Sequence, residues 1–464
     1  MDTKKLRQKI LDLAIHGKLV PQDPNDEPAS VLLERIKAEK ERLIKEGKIK
    51  KSKKSTKASD TPHYPYLLPK GWKWCKLEDI VSFGGGKTPS MDNKEYWDNG
   101  KHLWVTSKDM KCSHITNSLM KITDKALVGM TLYEKGTLLV VTRSGILRHT
   151  LPLSILEKPA TVNQDLKTIS PHIQELSEYL YVIIKANEHI ILKEYHKDGT
   201  TVDSIDFDKF RCLPIPLAPI AEQKRIIAET KNWLSLIDQI EQGKADLQTT
   251  IKQTKSKILD LAIHGKLVPQ DPNDEPAVEL LKRINPNFTP RDNGHYTQLP
   301  DGWTACRLEQ VADILDNLRK PINSSERDSR IRNRQIDELY PYYGATGQVG
   351  LIDDYIINGN YLLLGEDGAP FLDKNAIKAY SISGKSWVNN HAHILSPKID
   401  FEFLQYSLNQ IDYSEYVNGS TRLKLTQTDM RSIKIMLPPL AEQKRIKSKI
   451  QILFSQLDLM MESL

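Results

Sequence analysis

The chain has 464 residues, 39% hydrophobic and 27% charged, with 66 basic against 60 acidic side chains and a net charge of +6. That is globular material with room for two to four domains. It holds no run of about 18 apolar residues for a bilayer, and its charged start, Met1-Asp2-Thr3-Lys4-Lys5, lacks the apolar core of a secretory leader. Four cysteines (Cys75, Cys112, Cys212 and Cys306) show neither metal-ligand spacing nor disulfide density, so the expected compartment is a reducing cytoplasm. The basic surplus is too small to decide for a polyanionic partner.

Residues 9–29 read KILDLAIHGKLVPQDPNDEPA, and residues 257–277 repeat them letter for letter at an offset of 248. Leu6, Ile10 and Leu13 give this first segment a helical seam. His16 and His264 lie inside the identical stretches with no acid or nucleophile at motif spacing, and suit helix ends or packing. A lysine-dense stretch follows at 37–57. Its first part, 38–45, mixes charges and can extend a helix; the rest reads as a flexible linker, with contact to DNA phosphates as the functional option. The second copy is 17 residues shorter here.

Leu68-Pro69-Lys70-Gly71-Trp72 leads into Cys75-Lys76-Leu77-Glu78, and Leu299-Pro300-Asp301-Gly302-Trp303 into Cys306-Arg307-Leu308-Glu309. Trp72 and Trp303 suit core anchors at the start of two globular segments better than stacking platforms. In the first segment, Leu138-Leu139-Val140-Val141 reads as a buried strand between Gly136 and Gly145, and 174–189 as helical. Gly84-Gly85-Gly86-Lys87-Thr88 is similar to a phosphate loop, but Val81 stands where that pattern needs a glycine. Arginine or lysine reads guanine, asparagine or glutamine adenine, and aspartate or glutamate cytosine. The polar loops therefore offer Arg143, Asn163 and Gln164 for base edges. Lys108, Thr200 and Thr201 suit phosphates, and Thr106, Ser107 and Ser144 complete the candidate DNA-binding set. For each, a solvated loop residue is the plainer alternative, and Asn163 suits a turn equally well.

After Pro219 the apolar positions keep a 4,3 rhythm: Ile226, Thr230, Trp233, Ile237, Ile240, Lys244, Leu247, Ile251, Thr254, Ile258, Leu261. That is the seam of a coiled coil. Gly265 and Pro269 suit its end. A helix over 220–263 would be on the order of 65 Å long at about 1.5 Å per residue. The second globular segment repeats the first with changed loops. Tyr361-Leu362-Leu363-Leu364 reads as the buried strand and 401–411 as helical. Glu366, Asn389 and Asn390 are its base-edge candidates, Arg422 and Lys424 its phosphate candidates, and Tyr343, Thr346, Asp367, Ser420 and Thr421 join the set; Asn389 again suits a turn.

The tail repeats the start of the central segment: Ala441-Glu442-Gln443-Lys444-Arg445-Ile446 matches Ala221-Glu222-Gln223-Lys224-Arg225-Ile226 at an offset of 220, and Ile446, Ile450, Leu453, Leu457, Met460 and Leu464 keep the seam. The C-terminal piece thus matches the first part of the central segment and the N-terminal piece the rest, leaving residues 245–248 without a counterpart. This is a two-fold unit opened at one point of a ring, and a pseudo-dyad is expected. The central helix should pack against the C-terminal helix, antiparallel, with the N-terminal helix completing the bundle. A plain oligomerising coiled coil is the alternative. No Asn-Pro-Pro-Tyr methylation motif and no glycine-rich cofactor fingerprint is found, so neither an enzyme nor a metal site is expected.

With these residues in view, the organisation resembles the specificity subunits of type I restriction-modification systems. The resemblance is carried by Leu217-Ala218-Pro219-Ile220 with the Ala-Glu-Gln-Lys-Arg-Ile motif, by its copy from Leu437, by the two Leu-Pro-x-Gly-Trp motifs and by Lys-Leu-Val-Pro-Gln at 18–22 and 266–270. It covers nearly the whole chain; the lysine-rich insert departs from the symmetric pattern. It implies an α+β fold of two similar mixed α/β target recognition domains separated by long antiparallel coiled-coil helices. The division is 1–67 helical fragment and linker, 68–216 first recognition domain, 217–298 helical spacer, 299–437 second recognition domain, and 438–464 repeated helix. It further implies double-stranded DNA with a bipartite site as ligand and two methyltransferase subunits as partners. Those subunits would bind S-adenosylmethionine and flip the target adenine out of the duplex. A motor-nuclease subunit using ATP and Mg is a further partner implied, and this chain itself holds no cofactor. Two other readings stay open: a coiled-coil scaffold with two protein-binding domains, and the specificity partner of another methyltransferase or nuclease system.

Overall fold

The heptad rhythm after Pro219 forms one helix of 44 residues, Ile220–Ile263. The computed structural model describes residues 2–49, 65–197, 202–286, 288, 299–420 and 422–464. The chain divides into two compact units, Met1–Gln242 and Gly243–Leu464, so the central helix gives its first half to one unit and its second half to the other.

Each unit pairs its half of the central helix with a terminal helix running the opposite way. In the first unit, Arg7 of the N-terminal helix Thr3–Ile15 reaches Asp238 and, at 2.8 Å, Glu241. The other end of that helix, Ala14 and Ile15, shares a core with Ile226. In the second unit, Lys255 meets Asp458 of the C-terminal helix Leu440–Glu462 at 2.5 Å, while Ile258 shares a core with Ile446 and Ile450. Rising numbers on the central helix meet falling numbers on its partner in both. Lys255 and Asp458 are the repeat equivalents of Arg7 and Asp238, so the same helix pair is built twice from non-contiguous pieces. The expected antiparallel pairing with the C-terminal helix is present, and the N-terminal helix pairs with the other half of the central one.

The seam is closed at Ile226, Ile237, Ile251, Ile258, Ile446 and Ile450, each at most 8% exposed. Full burial of such a side chain contributes about 1.5–3 kcal/mol. Ile240, Leu261, Leu453 and Leu457 are half-buried. The expected dry stripe fails at Trp233, Leu247 and Met460, which are exposed. For Leu247 the reason is plain: it lies in the one stretch, 245–248, that neither terminal helix duplicates.

Between the helices each unit carries a mixed α/β lobe. The first has a five-stranded sheet in the order Val81–Gly85, Leu166–Pro171, Leu138–Val141, Leu153–Leu156, His114–Ile115. The second has a four-stranded sheet in the order Ala312–Ile314, Ala392–Pro397, Tyr361–Gly365, Ala379–Ile382. The strands Leu138–Val141 and Tyr361–Gly365 sit inside these sheets, which is why they read as continuous apolar runs. A smaller sheet in each lobe rests on a parallel pair, His102–Val105 with Ala160–Val162 and Tyr340–Gly344 with Lys385–Val388. The helices Ser177–Ala186 and Phe401–Gln410 bury Tyr179, Leu180 and Ile183 in one lobe and Phe403, Leu404 and Leu408 in the other. The strand that opens each lobe pairs antiparallel with the strand that closes it, Lys73↔Leu217 and Thr304↔Leu437. The chain therefore enters and leaves each lobe at one place.

The repeated motifs meet at that place. Gly17 and Gly265 end their helices at φ +62° and +66°, a conformation glycine adopts without penalty. A Cβ there would lie 2.5 Å from Pro69 or Pro300 of the Leu-Pro-x-Gly-Trp motif. Trp72 donates its indole N–H to Glu222 at 2.9 Å, and Trp303 to Glu442 at 3.0 Å. Arg225 meets Asp26 and Arg445 meets Asp274, both at 2.6 Å. Burial pushes Glu222 and Glu442 above the usual carboxylate range, with the indole and Gln22 or Gln270 as donors opposing it. Both tryptophans are buried, as core anchors should be. The insert in the first unit begins as helix: Ala29–Lys45 runs 17 residues where its counterpart, Ala277–Ile284, runs eight. Residues 50–64, which hold the rest of the lysine-dense stretch, lie outside the described residues.

Candidate nucleic-acid interface

Four loops converge at one end of each lobe, held by the same backbone ladder. In the first, the N–H of Asn163 donates to Val105 O at 3.0 Å, Thr142 to Asp165 O at 3.1 Å, Ile205 to Thr142 O at 3.0 Å and Ser144 to Asp203 O at 3.0 Å. In the second, Asn389 donates to Tyr343 O at 3.1 Å, Glu366 to His391 O at 2.8 Å, Leu425 to Glu366 O at 2.8 Å and Gly368 to Leu423 O at 3.1 Å. The ladder uses only main-chain groups, so it fixes where the loops lie and leaves their side chains to vary. The two lobes differ there: Thr142-Arg143-Ser144 stands opposite Glu366-Asp367-Gly368.

Most of the sequence-derived candidates are brought together by this ladder. Thr106 caps the 3-10 turn Ser107–Asp109, its N–H and hydroxyl both donating to Asp109, and this leaves Ser107 and Lys108 exposed. Arg143 is exposed beside the bridge its backbone makes to Ser204. In the second lobe Thr346, Asn390, Ser420, Arg422 and Lys424 are exposed. Tyr343 is half-buried against Tyr380. Thr200, Thr201 and Thr421 lie outside the described residues.

Several candidates have inward partners. Asn163 and Asn389 are each only 8% exposed. Asn163 donates to Asp165 at 3.0 Å, and Asn389 accepts from the N–H of His391 at 2.8 Å, so both do the work of turn residues. Glu366 does not stand open to a cytosine. Its carboxylate is held by Arg319 and lies 3.4 Å from Lys424. Beneath it Asp316, buried, accepts from His393 at 2.7 Å, from the N–H of Ile394 at 3.0 Å and from Gln427 at 3.0 Å. Burial is the largest influence and works to raise Asp316, but His393, the N–H of Ile394 and Arg319 together hold the group below its ordinary value. Asp367 is paired with Arg422 at 2.6 Å.

Sequence reasoning missed neighbours of these loops. Gly84 and Gly85 end the strand Val81–Gly85 and Gly86 follows it, so the run does not form a loop before a helix. A Cβ on Gly86 would lie 1.6 Å from Val162 O, which explains the glycine. Beyond it, Lys87 is exposed and the hydroxyl of Thr88 meets the side chain of Gln164, so the run delivers two polar residues to the candidate face. The signal was the Lys-Thr pair itself, set aside with the phosphate-loop pattern. Arg148 and the buried Asp203 gave none: nothing in their spacing sets them apart from other loop charges. Among the described residues, no group of three or more histidine, cysteine or acidic side chains could hold a metal, and no helix is long and apolar enough to cross a membrane.

Comparison with known proteins agrees with this geometry. The family model of the type I restriction modification DNA specificity domain matches residues 69–249 and 300–464. The specificity subunit of the type I restriction enzyme EcoAI from Escherichia coli is 29% identical, over 96% of this chain and 88% of its own length. That of EcoEI, also from Escherichia coli, is 26% identical over 98% and 89%. A solved chain from work on complex assembly and conformational transition of the type I R-M system superposes with a TM-score of 0.57 at 16% identity, over 86% of this chain and 94% of that one; it shares the fold. The family carries recognition rather than catalysis. Two family domains, each between the halves of a duplicated helix pair, place this chain in the type I restriction modification DNA specificity family.

Proposed function

We propose that each lobe reads one half of a bipartite duplex site, that the helices set the gap between the halves, and that those helices dock two methyltransferase subunits. The observation that carries this reading is the four-bond ladder, repeated in both lobes while the side chains on it differ. A common frame with divergent polar loops suits two readers of unlike sequences. Lys87 and Lys108 in the first lobe and Lys424 in the second are the phosphate contacts of this reading, which set register without carrying sequence, and the exposed Arg143 is a base-edge candidate in the first lobe. In it the methyltransferase partners supply S-adenosylmethionine and flip the adenine. A motor-nuclease subunit with ATP and Mg is a third partner, and DNA recognition is the whole task of this chain.

The test is selection from a pool of random duplexes, at two salt concentrations, with the chain in complex with its methyltransferase. Enrichment of two fixed sequences separated by a fixed gap is expected. Binding without any enrichment would point instead to a scaffold with protein-binding lobes.

A further inference from the structure

The Gly-Gly-Gly-Lys-Thr run is fixed to the loop that carries Gln164. The N–H of Lys87 donates to Val162 O at 3.1 Å, and the buried indole of Trp104 donates to Lys87 O at 3.1 Å. Gly86 permits the close approach, and Pro89 restricts Thr88 to extended backbone. Gln164 is held as firmly: Asn163 before it gives its main-chain N–H to Val105 O and its amide to Asp165, both at 3.0 Å. Between these two fixed segments the hydroxyl of Thr88 donates to Oε1 of Gln164. Both residues are exposed. The bond takes one lone pair of Oε1; the second lone pair and the Nε2 amino group have no partner among the described residues. The second lobe repeats the indole anchor, Trp387 donating to Lys320 O at 2.9 Å, and places the exposed Asn390 where Gln164 stands. After that lysine, however, it has Pro321, which carries no hydroxyl.

A carboxamide carries a donor and an acceptor on one planar edge. Adenine presents the matching edge in the major groove, its N6 amino group as donor beside N7 as acceptor. A phosphate offers acceptors alone, so it would use the Nε2 half of the amide and repel Oε1. A hydroxyl donated to Oε1 stops the amide from turning over. The donor–acceptor edge is then set before the duplex arrives, and less side-chain ordering is left to binding. A phosphate contact would gain nothing from that. The fold does not need the brace either, since the second lobe keeps the anchor and lacks the hydroxyl. We propose that Gln164 reads an adenine in one half-site and that Thr88 is the residue that positions it. This rests on the DNA-reading assignment above.

The experiment uses the full chain with its methyltransferase, and measures binding to duplexes varied one position at a time for the natural chain, Gln164→Ala, Gln164→Glu, Thr88→Val and Thr88→Ser. Gln164→Ala should lose preference for adenine at a single position of one half-site, by about tenfold to a hundredfold. The other half-site and the affinity for unrelated duplex should be unchanged. Gln164→Glu should move the preference at that position to cytosine, whose amino group a carboxylate accepts. A deazaadenine with C–H in place of N7, set at that position, should weaken the natural chain and leave Gln164→Ala unaffected. Thr88→Val should weaken the adenine preference at the same position, and Thr88→Ser, which keeps the hydroxyl, should restore it. A uniform loss on all sequences, with the salt dependence reduced by about one phosphate, would overturn the assignment, as would an unchanged base preference in Gln164→Ala. A Thr88→Val chain that discriminates as the natural one does would overturn the positioning role. If the natural chain selects no bipartite sequence, the DNA-reading assignment itself falls and takes this one with it.

Discussion

The indole of Trp72 donates to the carboxylate of Glu222, and 231 and 220 residues later the indole of Trp303 donates to Glu442 in the same geometry. Each pair joins the first turn of a long helix to the point where a lobe begins. Glu222→Ala leaves a buried indole N–H without its acceptor and should destabilise the first unit by about 1–3 kcal/mol. Glu222→Gln keeps an acceptor and removes a charge whose burial is unfavourable, so it should lose less than half as much. Urea midpoints of the two variants check this; equal losses would mean that the carboxylate's charge, not the hydrogen bond, holds the joint.

His172 gives the first unit a pH dependence that the second lacks. It is 7% exposed, lies beside the insert helix Ala29–Lys45 and meets Ser82 at 3.1 Å. The corresponding place in the second unit holds the ion pair Lys398–Asp313 at 2.6 Å. Burial, with the charge of Lys40 second and Glu39 opposing, pushes His172 down to about 4 from its ordinary 6.5. The folded state therefore binds fewer protons than the unfolded state between these values. Its stabilising contribution is whole above pH 6.5 and is lost as pH falls towards 4, a change of roughly 1–3 kcal/mol. Urea titrations of the first unit at pH 7 and 4.5 should show the loss, and His172→Gln should flatten it. An unchanged slope in that variant would assign the effect elsewhere.

Asp316 holds the floor of the second candidate face. Its carboxylate serves His393, the Ile394 N–H and Gln427, and lies 3.2 Å from Arg319. Asp316→Ala takes the carboxylate from the buried His393 and leaves Arg319 only Glu366 as an acidic partner, and should cost about 3–5 kcal/mol. Preference in the first half-site should survive wherever the variant folds. Loss of both half-sites together in folded protein would contradict independent readers.

The exposed lysines and arginines of the interface imply a steep salt dependence. Each phosphate neutralised contributes about −0.9 to the slope of log affinity against log salt. Lys87→Ala and Lys108→Ala should each lower that slope by about one and weaken all duplexes alike. A sequence-specific effect would move the lysine concerned from positioning to reading.

Much of the architecture is legible in the sequence because repetition makes it so. The helix Ile220–Ile263 follows from one seam bounded by Pro219 and Gly265, and the buried strands follow from four-residue apolar runs. The motif copies identify the joints, since Trp72, Glu222, Arg225 and Asp26 are all repeated. The candidate faces were legible only as regions. Which loop charges turn inward depends on partners far away in the chain: Arg319 lies 47 residues from Glu366, and Arg148 lies 55 from Asp203. No periodicity encodes such pairs. For the same reason Glu366 and Asn389 resemble base readers in type and spacing, yet are occupied by their neighbours. Leu247 kept the seam's rhythm but has nothing to close on, because local pattern does not reveal where a partner helix stops.

The central claim is that two independent readers are spaced by a helix. It is tested most directly by inserting seven residues after Leu247, which lengthens the helix by about 10 Å and returns it to within about 20° of its former facing. Selection from random duplexes should then recover the same two half-site sequences with a longer gap. Altered half-site bases, or the original gap retained, would contradict it.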